Sequence, residues 1–232
     1  MYSEKFLKFI EIWQKEFAFE RTLDEETALD AQGRLIPWYT YPAIEYLSQF
    51  DYRNKKIFEY GCANSSVFWA QRAASVVSIE NDAVWFEKWK TELKADHLTI
   101  KLREKEAYEK AVFESGEKYD VIIVDGIRRL ECAKAAAMCL KDEGMIILDD
   151  SDRAKHSAEY RQIVGLLKER GLLQIDFYGF CPMNVYPKTT SVFLTRNFNF
   201  PLLEEIQPSC GIGSLWGMPR RIRKSLYRSG LK

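Results

Sequence analysis

Apolar and polar positions divide the chain into two regimes. Near the start, Phe6, Leu7, Ile10, Trp13 and Phe17 recur at helical spacing and predict an amphipathic N-terminal helix. A polar stretch over 21–34 follows. The aromatic run Leu35-Ile36-Pro37-Trp38-Tyr39-Thr40-Tyr41-Pro42 comes next, then a short helical pattern through Ile44, Tyr46 and Leu47. From Lys55 onward a regular alternation sets in. Apolar runs at 56–60 (KIFEY), 76–79, 98–102, 119–124 (YDVIIV) and 144–148 (GMIIL) read as buried strands. Between and after them, helices are predicted over 64–74, 82–94, 107–114, 131–140 and 157–170. Asn64 or Ser65 can cap the first of these, because its side chain can accept from free backbone N–H groups. Two last strands, 173–178 and 191–195, enclose a loop-like stretch with Pro182 and Pro187 and no helix.

Strands alternating with helices of this length mean βαβ units and a parallel sheet. The last two strands leave no room for a parallel crossover, so they should form an antiparallel hairpin. The expected architecture is α/β: a doubly wound, mostly parallel seven-stranded sheet with a C-terminal antiparallel hairpin and helices on both faces. A dinucleotide-binding dehydrogenase would instead continue with a sixth βα unit. The chain divides into an N-terminal helical and aromatic lid segment (1–50), the α/β domain (51–198) and a basic C-terminal extension (199–232).

Composition changes little in this picture. Lys plus Arg equals Asp plus Glu at 34 each over 232 residues, so net charge names no partner. The distribution is uneven: from Ile206 onward Arg220, Arg221, Arg223, Lys224, Arg228 and Lys232 meet no acidic residue. With Trp216, Met218, Ile222, Leu226 and Tyr227 they suit a basic amphipathic helix, for weak contact with an anionic membrane or a protein, or for docking on the domain itself. No broad basic surface or RNA-binding signature accompanies it, so nucleic acid is not expected. The five cysteines (Cys62, Cys132, Cys139, Cys181, Cys210) are odd in number and contain no CxxC pair, which fits neither a disulfide framework nor a zinc site. Cys132 and Cys139 read as small core residues. MYSEKFLKFIEIW lacks the apolar core of a signal peptide, and a cytoplasmic location is expected.

The candidate chemistry lies at the strand ends, where doubly wound sheets bind their ligands. The first strand ends in Glu59-Tyr60-Gly61-Cys62-Ala63-Asn64-Ser65, the second in Glu80-Asn81, the fourth in Asp125-Gly126 and the fifth in Asp149-Asp150. Gly61 permits a tight turn and close approach of a ligand to the backbone. Glu80, 21 residues after Glu59 in the sequence, falls at the tip of the adjacent strand, where a carboxylate can accept both ribose hydroxyls. GCANSS lacks the third glycine of GxGxxG, and no P-loop is present. A ribose reader without a pyrophosphate cradle points to a nucleoside-type cofactor.

The segment IFEYGCANSSVFWAQRAASVVSIEND, followed by YDVIIVDG, GMIILDD and TTSVFLTR, resembles the class I (Rossmann-like) S-adenosylmethionine-dependent methyltransferases over about residues 35–198. The resemblance implies that Glu59, Gly61, Ala63, Asn64 and Ser65 contact the methionine part of S-adenosylmethionine, Glu80 and Asn81 the ribose side, and Asp125 the edge of the methionine site. Ala63 departs from the pattern, standing where the family has its second glycine. A left-handed backbone there would cost alanine roughly 1–2 kcal/mol, whereas a mere need for a small side chain would cost little.

Much of methyl transfer is proximity and orientation, but a hydroxyl acceptor must also lose its proton. Two routes are open. Asp125, Asp149 and Asp150 could hold Mg²⁺, as acidic residues at these strand ends do in the metal-dependent O-methyltransferases of catechols and macrolide sugars that the chain resembles. Asp125 and Asp150 would then be catalytic through the metal. Alternatively His156, six residues beyond Asp150, could act as a side-chain base. The aromatic segment 38–41 and the 179–190 loop could form a lid, or their aromatics could pack the N-terminal helix onto the sheet. The resemblance implies a hydroxylated small molecule or glycan unit as acceptor. A non-catalytic scaffold on the same fold, or an aminopropyl-transfer enzyme, is the alternative reading.

Overall fold

The computed structural model of the chain describes residues 2–93 and 95–228, with side chains as far as 224. Lys94, the last position of the predicted 82–94 helix, and residues 229–232 of the basic extension lie outside the described residues. The N-terminal segment holds α1 (Glu4–Lys15), α2 (Phe19–Asp24) and α3 (Tyr41–Leu47). Ser3 caps α1 by accepting from the Phe6 N–H at 3.2 Å. The formally polar 21–34 stretch is folded back on itself by an antiparallel bridge between Leu29 and Leu35.

The sheet then builds as β1 (Lys56–Tyr60), α4 (Asn64–Ala70), β2 (Ser75–Glu80), α5 (Ala83–Glu92), β3 (Leu98–Leu102), α6 (Glu106–Lys110), β4 (Tyr119–Val124), α7 (Arg129–Cys139), β5 (Leu140–Leu148), α8 (Ala158–Glu169), β6 (Leu173–Gly179) and β7 (Lys188–Leu194). Strand order is β3-β2-β1-β4-β5-β7-β6. β1 to β5 pair in parallel, and β7 runs antiparallel to both β5 and β6. The predicted seven strands and terminal hairpin are therefore present. Successive residues point to opposite faces, as a pleated strand requires. Ile57, Val121, Ile123, Met145 and Ile147 pack with α3, α4 and the aromatics Tyr39, Tyr41 and Trp69. Phe58, Tyr60, Ile122, Val124, Ile146 and Leu148 pack on the other face with Cys132, Ala133 and Cys139 of α7 and Ile163 and Leu167 of α8. Burial on both faces is why these strands read as unbroken apolar runs.

Several boundaries differ from the sequence reading, among them β5, which begins at Leu140 rather than 144. α4 stops at Ala70 rather than 74, because Arg72 and Ala73 both donate to the Trp69 carbonyl and Ala74 donates to Lys55 beside β1. The 107–114 helix is a short α6 followed by one 3-10 turn, Ala111–Phe113. β7 begins at Lys188, not 191, through register pairs Gly179–Lys188, Tyr178–Thr189 and Phe177–Thr190. These early residues are polar, so the hydrophobic pattern did not reach them.

Beyond the sheet, Phe50 and Leu202 form a bridge that brings the start of the C-terminal extension back to the domain. The extension ends in α9 (Arg220–Arg228), on which Arg220, Arg221, Ile222 and Lys224 are exposed. Among the described residues no helix is long and apolar enough to cross a membrane.

Candidate active site

Strand order reverses between β1 and β4, and a cavity of about 560 Å³ opens outside the carboxyl ends there. Its size suits a small-molecule ligand. Gly61, Cys62, Ala63 and Ser65 after β1, Glu80 and Asn81 after β2, Asp125 and Gly126 after β4, and Asp149 and Asp150 after β5 all line it. Gly61 has φ +105°, which L side chains rarely adopt, and a Cβ there would lie 3.2 Å from the Asp125 carbonyl oxygen. Both conformation and space require glycine at this turn. Ala63 has φ −167° and ψ −146°, an extended backbone open to any residue. Alanine therefore stands at the position of the pattern's second glycine without backbone strain.

Glu59 is buried beneath the turn. Its Oε2 accepts from Ser66 Oγ at 2.5 Å and Ser78 Oγ at 2.7 Å, tying β1 to α4 and β2. Burial pushes its carboxyl above the usual range, against the pull of the serine hydroxyls. Glu80 Oε1 accepts the backbone N–H groups of Asn81 (2.7 Å) and Asp82 (2.9 Å), which fixes the carboxylate at the strand tip. Burial raises this group too, with those backbone donors opposing. Asn64 turns elsewhere: its amide donates to the Ala28 carbonyl at 3.1 Å, holding the N-terminal segment to α4. His156 is exposed and does not line the cavity, and His97 bonds the Ala70 carbonyl.

Asp125, Asp149 and Asp150 do converge, each offering an oxygen within 4.8 Å of the others. They do not stand alone. Lys188, the first residue of β7, reaches between them: its Nζ bonds Asp149 Oδ2 and lies 3.0 Å from Asp150 Oδ1. Arg129 Nη2 donates to Asp125 Oδ1 at 2.8 Å, Arg153 Nη2 lies 2.8 Å from Asp150 Oδ2, and Thr190 Oγ1 donates to Asp149 Oδ1 at 2.6 Å. Arg129 also donates to the carbonyls of Gly126 (2.9 Å) and Asp149 (2.8 Å), joining the tips of β4 and β5. Among the described residues, Asp125 Oδ2 alone in the trio has no bonded partner. A hard divalent cation takes several free oxygens. As folded, this donor set does not fit one.

Environment separates the three acids. Burial, reinforced by Asp125, pushes Asp149 up to about 7 against the pull of Lys188. Burial also raises Asp125, with Arg129 and Lys188 opposing. For Asp150 burial acts upward but is outweighed by Lys188, Arg129 and Arg153, which hold it below the usual range.

Sequence reasoning missed Lys188, Arg129, Arg153 and Trp85. Trp85 lines the cavity beside Asn81 and donates from Nε1 to the Cys62 carbonyl at 2.5 Å. No strand-end rule reaches a residue on the first turn of a helix or on a returning strand. The 38–41 and 179–190 segments divide between the cavity and the core. Trp38, Asn184, Tyr186 and Pro187 line the cavity, while Tyr39 and Tyr41 are core and Phe180 packs on Trp13 of α1 at 5.2 Å between ring centroids. The Thr40 N–H donates to Thr190 Oγ1 (3.0 Å), its hydroxyl to the Phe177 carbonyl (2.9 Å), and the Tyr41 N–H to the Phe180 carbonyl (2.8 Å).

No protein-family profile matches the chain, and no curated protein sequence matches it. Solved structures do. The O-methyltransferase TomG from Streptomyces achromogenes, involved in tomaymycin synthesis and in complex with SAM, aligns at TM-score 0.56 and 17% identity, over 80% of this chain and 89% of its own. Cofactor-bound Rv0187 from MTB aligns at 0.56 and 16%, over 78% and 89%. The precorrin-6y C5,15-methyltransferase from Geobacter metallireducens GS-15 aligns at 0.53 and 16%, over 74% and 96%. At such identities the likeness establishes the fold: the chain has the Rossmann-like fold of the class I S-adenosylmethionine-dependent methyltransferases.

Proposed function

We propose that the chain is an S-adenosylmethionine-dependent methyltransferase acting on a hydroxyl group of a small molecule or glycan unit. The observation that carries this reading is the cavity at the β1/β4 reversal, where an obligate glycine turn stands beside a backbone-anchored Glu80 and no phosphate cradle. Gly61 to Ser65 would hold the methionine part, Glu80 the ribose hydroxyls, and Asn81 and Trp85 the ground beyond the ribose. Bound there, S-adenosylmethionine supplies an electrophilic methyl group.

The chain's own part is to bind, orient and exclude water. Trp38, Tyr186 and Pro187 supply apolar ring surface around the acceptor side, and Asn184 supplies an amide able to bond a hydroxyl. Aromatic faces with a few polar groups favour a hydroxylated ring over a charged chain. Asp125, whose Oδ2 is the one oxygen of the trio without a bonded partner among the described residues, is the carboxylate placed to receive a hydroxyl proton. The aminopropyl-transfer alternative wants an acidic pocket for a polyamine, and here Lys188, Arg129 and Arg153 answer the acids.

Calorimetry with S-adenosylhomocysteine tests the reading directly. Saturable one-to-one binding supports it, and no heat at millimolar ligand refutes it.

A further inference from the structure

Three strand-end carboxylates packed together normally need a cation, and the sequence leaves open what supplies it. In the fold, β7 answers the question. Its antiparallel course past β5 (Leu148–Ser191 in register) starts at the carboxyl edge, so its first side chain, Lys188, drops into the gap between Asp149 and Asp150. The Lys188 side chain is only 9% exposed, and its partner Asp149 only 2%.

We propose that Lys188 is the resident cation of this site, standing where a divalent metal would otherwise join Asp125, Asp149 and Asp150, and that its remaining N–H faces the acceptor. Within the cluster the three carboxylates already meet three bases, Lys188, Arg129 and the exposed Arg153, so a divalent ion added beside them would leave two uncompensated positive charges there. Entry of a metal would also have to evict an ammonium whose stem is held at the first residue of a strand and whose Nζ already bonds Asp149 and Asp150. An ammonium carries three donors. Two are spent on Asp149 and Asp150, which leaves one, and Trp38, whose ring centroid lies 5.9 Å from Nζ, lines the same cavity. A lysine donates to an oxygen as a point charge without fixing coordination geometry, so it suits a hydroxyl approaching from a range of angles.

The inference concerns the acceptor half of the cavity and is tested without the cofactor, so S-adenosylhomocysteine calorimetry and this experiment can fail separately. The probe is Mn²⁺, whose free-ion paramagnetic resonance signal falls when the ion binds protein. Wild type should leave the signal unchanged at equimolar Mn²⁺. Lys188→Met frees Asp149 Oδ2 and Asp150 Oδ1 and should bind the ion, cutting the free signal by about half or more at submillimolar concentrations, with its melting temperature rising on Mn²⁺ addition. Lys188→Arg, which keeps the charge, should stay silent like wild type. Saturable Mn²⁺ binding by wild type that Asp149→Asn abolishes would overturn the proposal, whether or not the Met variant folds. A folded Met variant that takes up no Mn²⁺ would overturn it as well.

Discussion

Gly61 and Asp125 meet across the β1–β4 seam so closely that a methyl group on the first would lie 3.2 Å from the carbonyl oxygen of the second. Gly61 is also held at φ +105°, and its N–H donates to the Ile79 carbonyl at 2.9 Å, so the turn cannot swing away. Gly61→Ala should therefore lower the unfolding midpoint by about 2–4 °C or more. It should weaken S-adenosylhomocysteine binding further than that loss of stability alone would. Thermal melts beside calorimetry decide this, and an alanine variant with wild-type affinity would show that the turn does not touch the ligand.

Ala63 makes the opposite case. Its extended backbone asks nothing of glycine, so Ala63→Gly should leave cofactor affinity unchanged while costing about 0.4–1 kcal/mol through the freer unfolded chain. A gain in affinity with glycine would mean that the methyl group crowds the ligand.

Glu80→Gln keeps an oxygen for the Asn81 and Asp82 N–H groups but removes the charge that would face a ribose. Affinity for S-adenosylhomocysteine should fall about tenfold or more, since hydrogen bonds to an ionised group are worth about 1.5–3 kcal/mol. An unchanged dissociation constant would refute the ribose role.

The buried Glu59 makes stability depend on pH. Burial raises its carboxyl above the ordinary value of about 4.5, so the folded state holds the proton over a range where the unfolded chain has lost it. Stability should then decline as pH rises from about 4.5 through the folded-state value, because unfolding releases that proton. Glu59→Gln removes the titration and should flatten this part of the profile. Denaturant midpoints between pH 5 and 8 for both proteins would show it, and parallel profiles would contradict it.

The parallel strands were legible because burial on both faces writes apolar runs such as YDVIIV directly into the sequence. The hairpin followed from arithmetic, since 179–190 is too short and too proline-marked for a crossover. The strand-end carboxylates were legible for the same reason: each follows an unmistakable run. Lys188 was not. It opens a strand with Lys-Thr-Thr, in which Lys188 and Thr190 are buried by polar bonds to Asp149, Asp150 and Thr40 rather than by apolar contact alone, and one-dimensional patterning has no symbol for that. Arg129 and Trp85 lie near helix starts, where a cation or an indole reads as ordinary surface. Asn64 was assigned to the cofactor turn from its place in the chain, and only the fold reveals that its amide faces Ala28.

The bond from Thr40 to Thr190 spans 150 positions of the chain. On a ribosome the aromatic run around Trp38 emerges early, yet the strand that receives it is among the last parts of the domain to be made. Contacts of such long sequence separation close late and slowly. Thr40 must therefore wait for its partner while the sheet grows from β1 to β5 behind it. The roof of the cavity is set in place after its floor, and a nascent chain stalled before β7 would carry an open site and a sticky N-terminus.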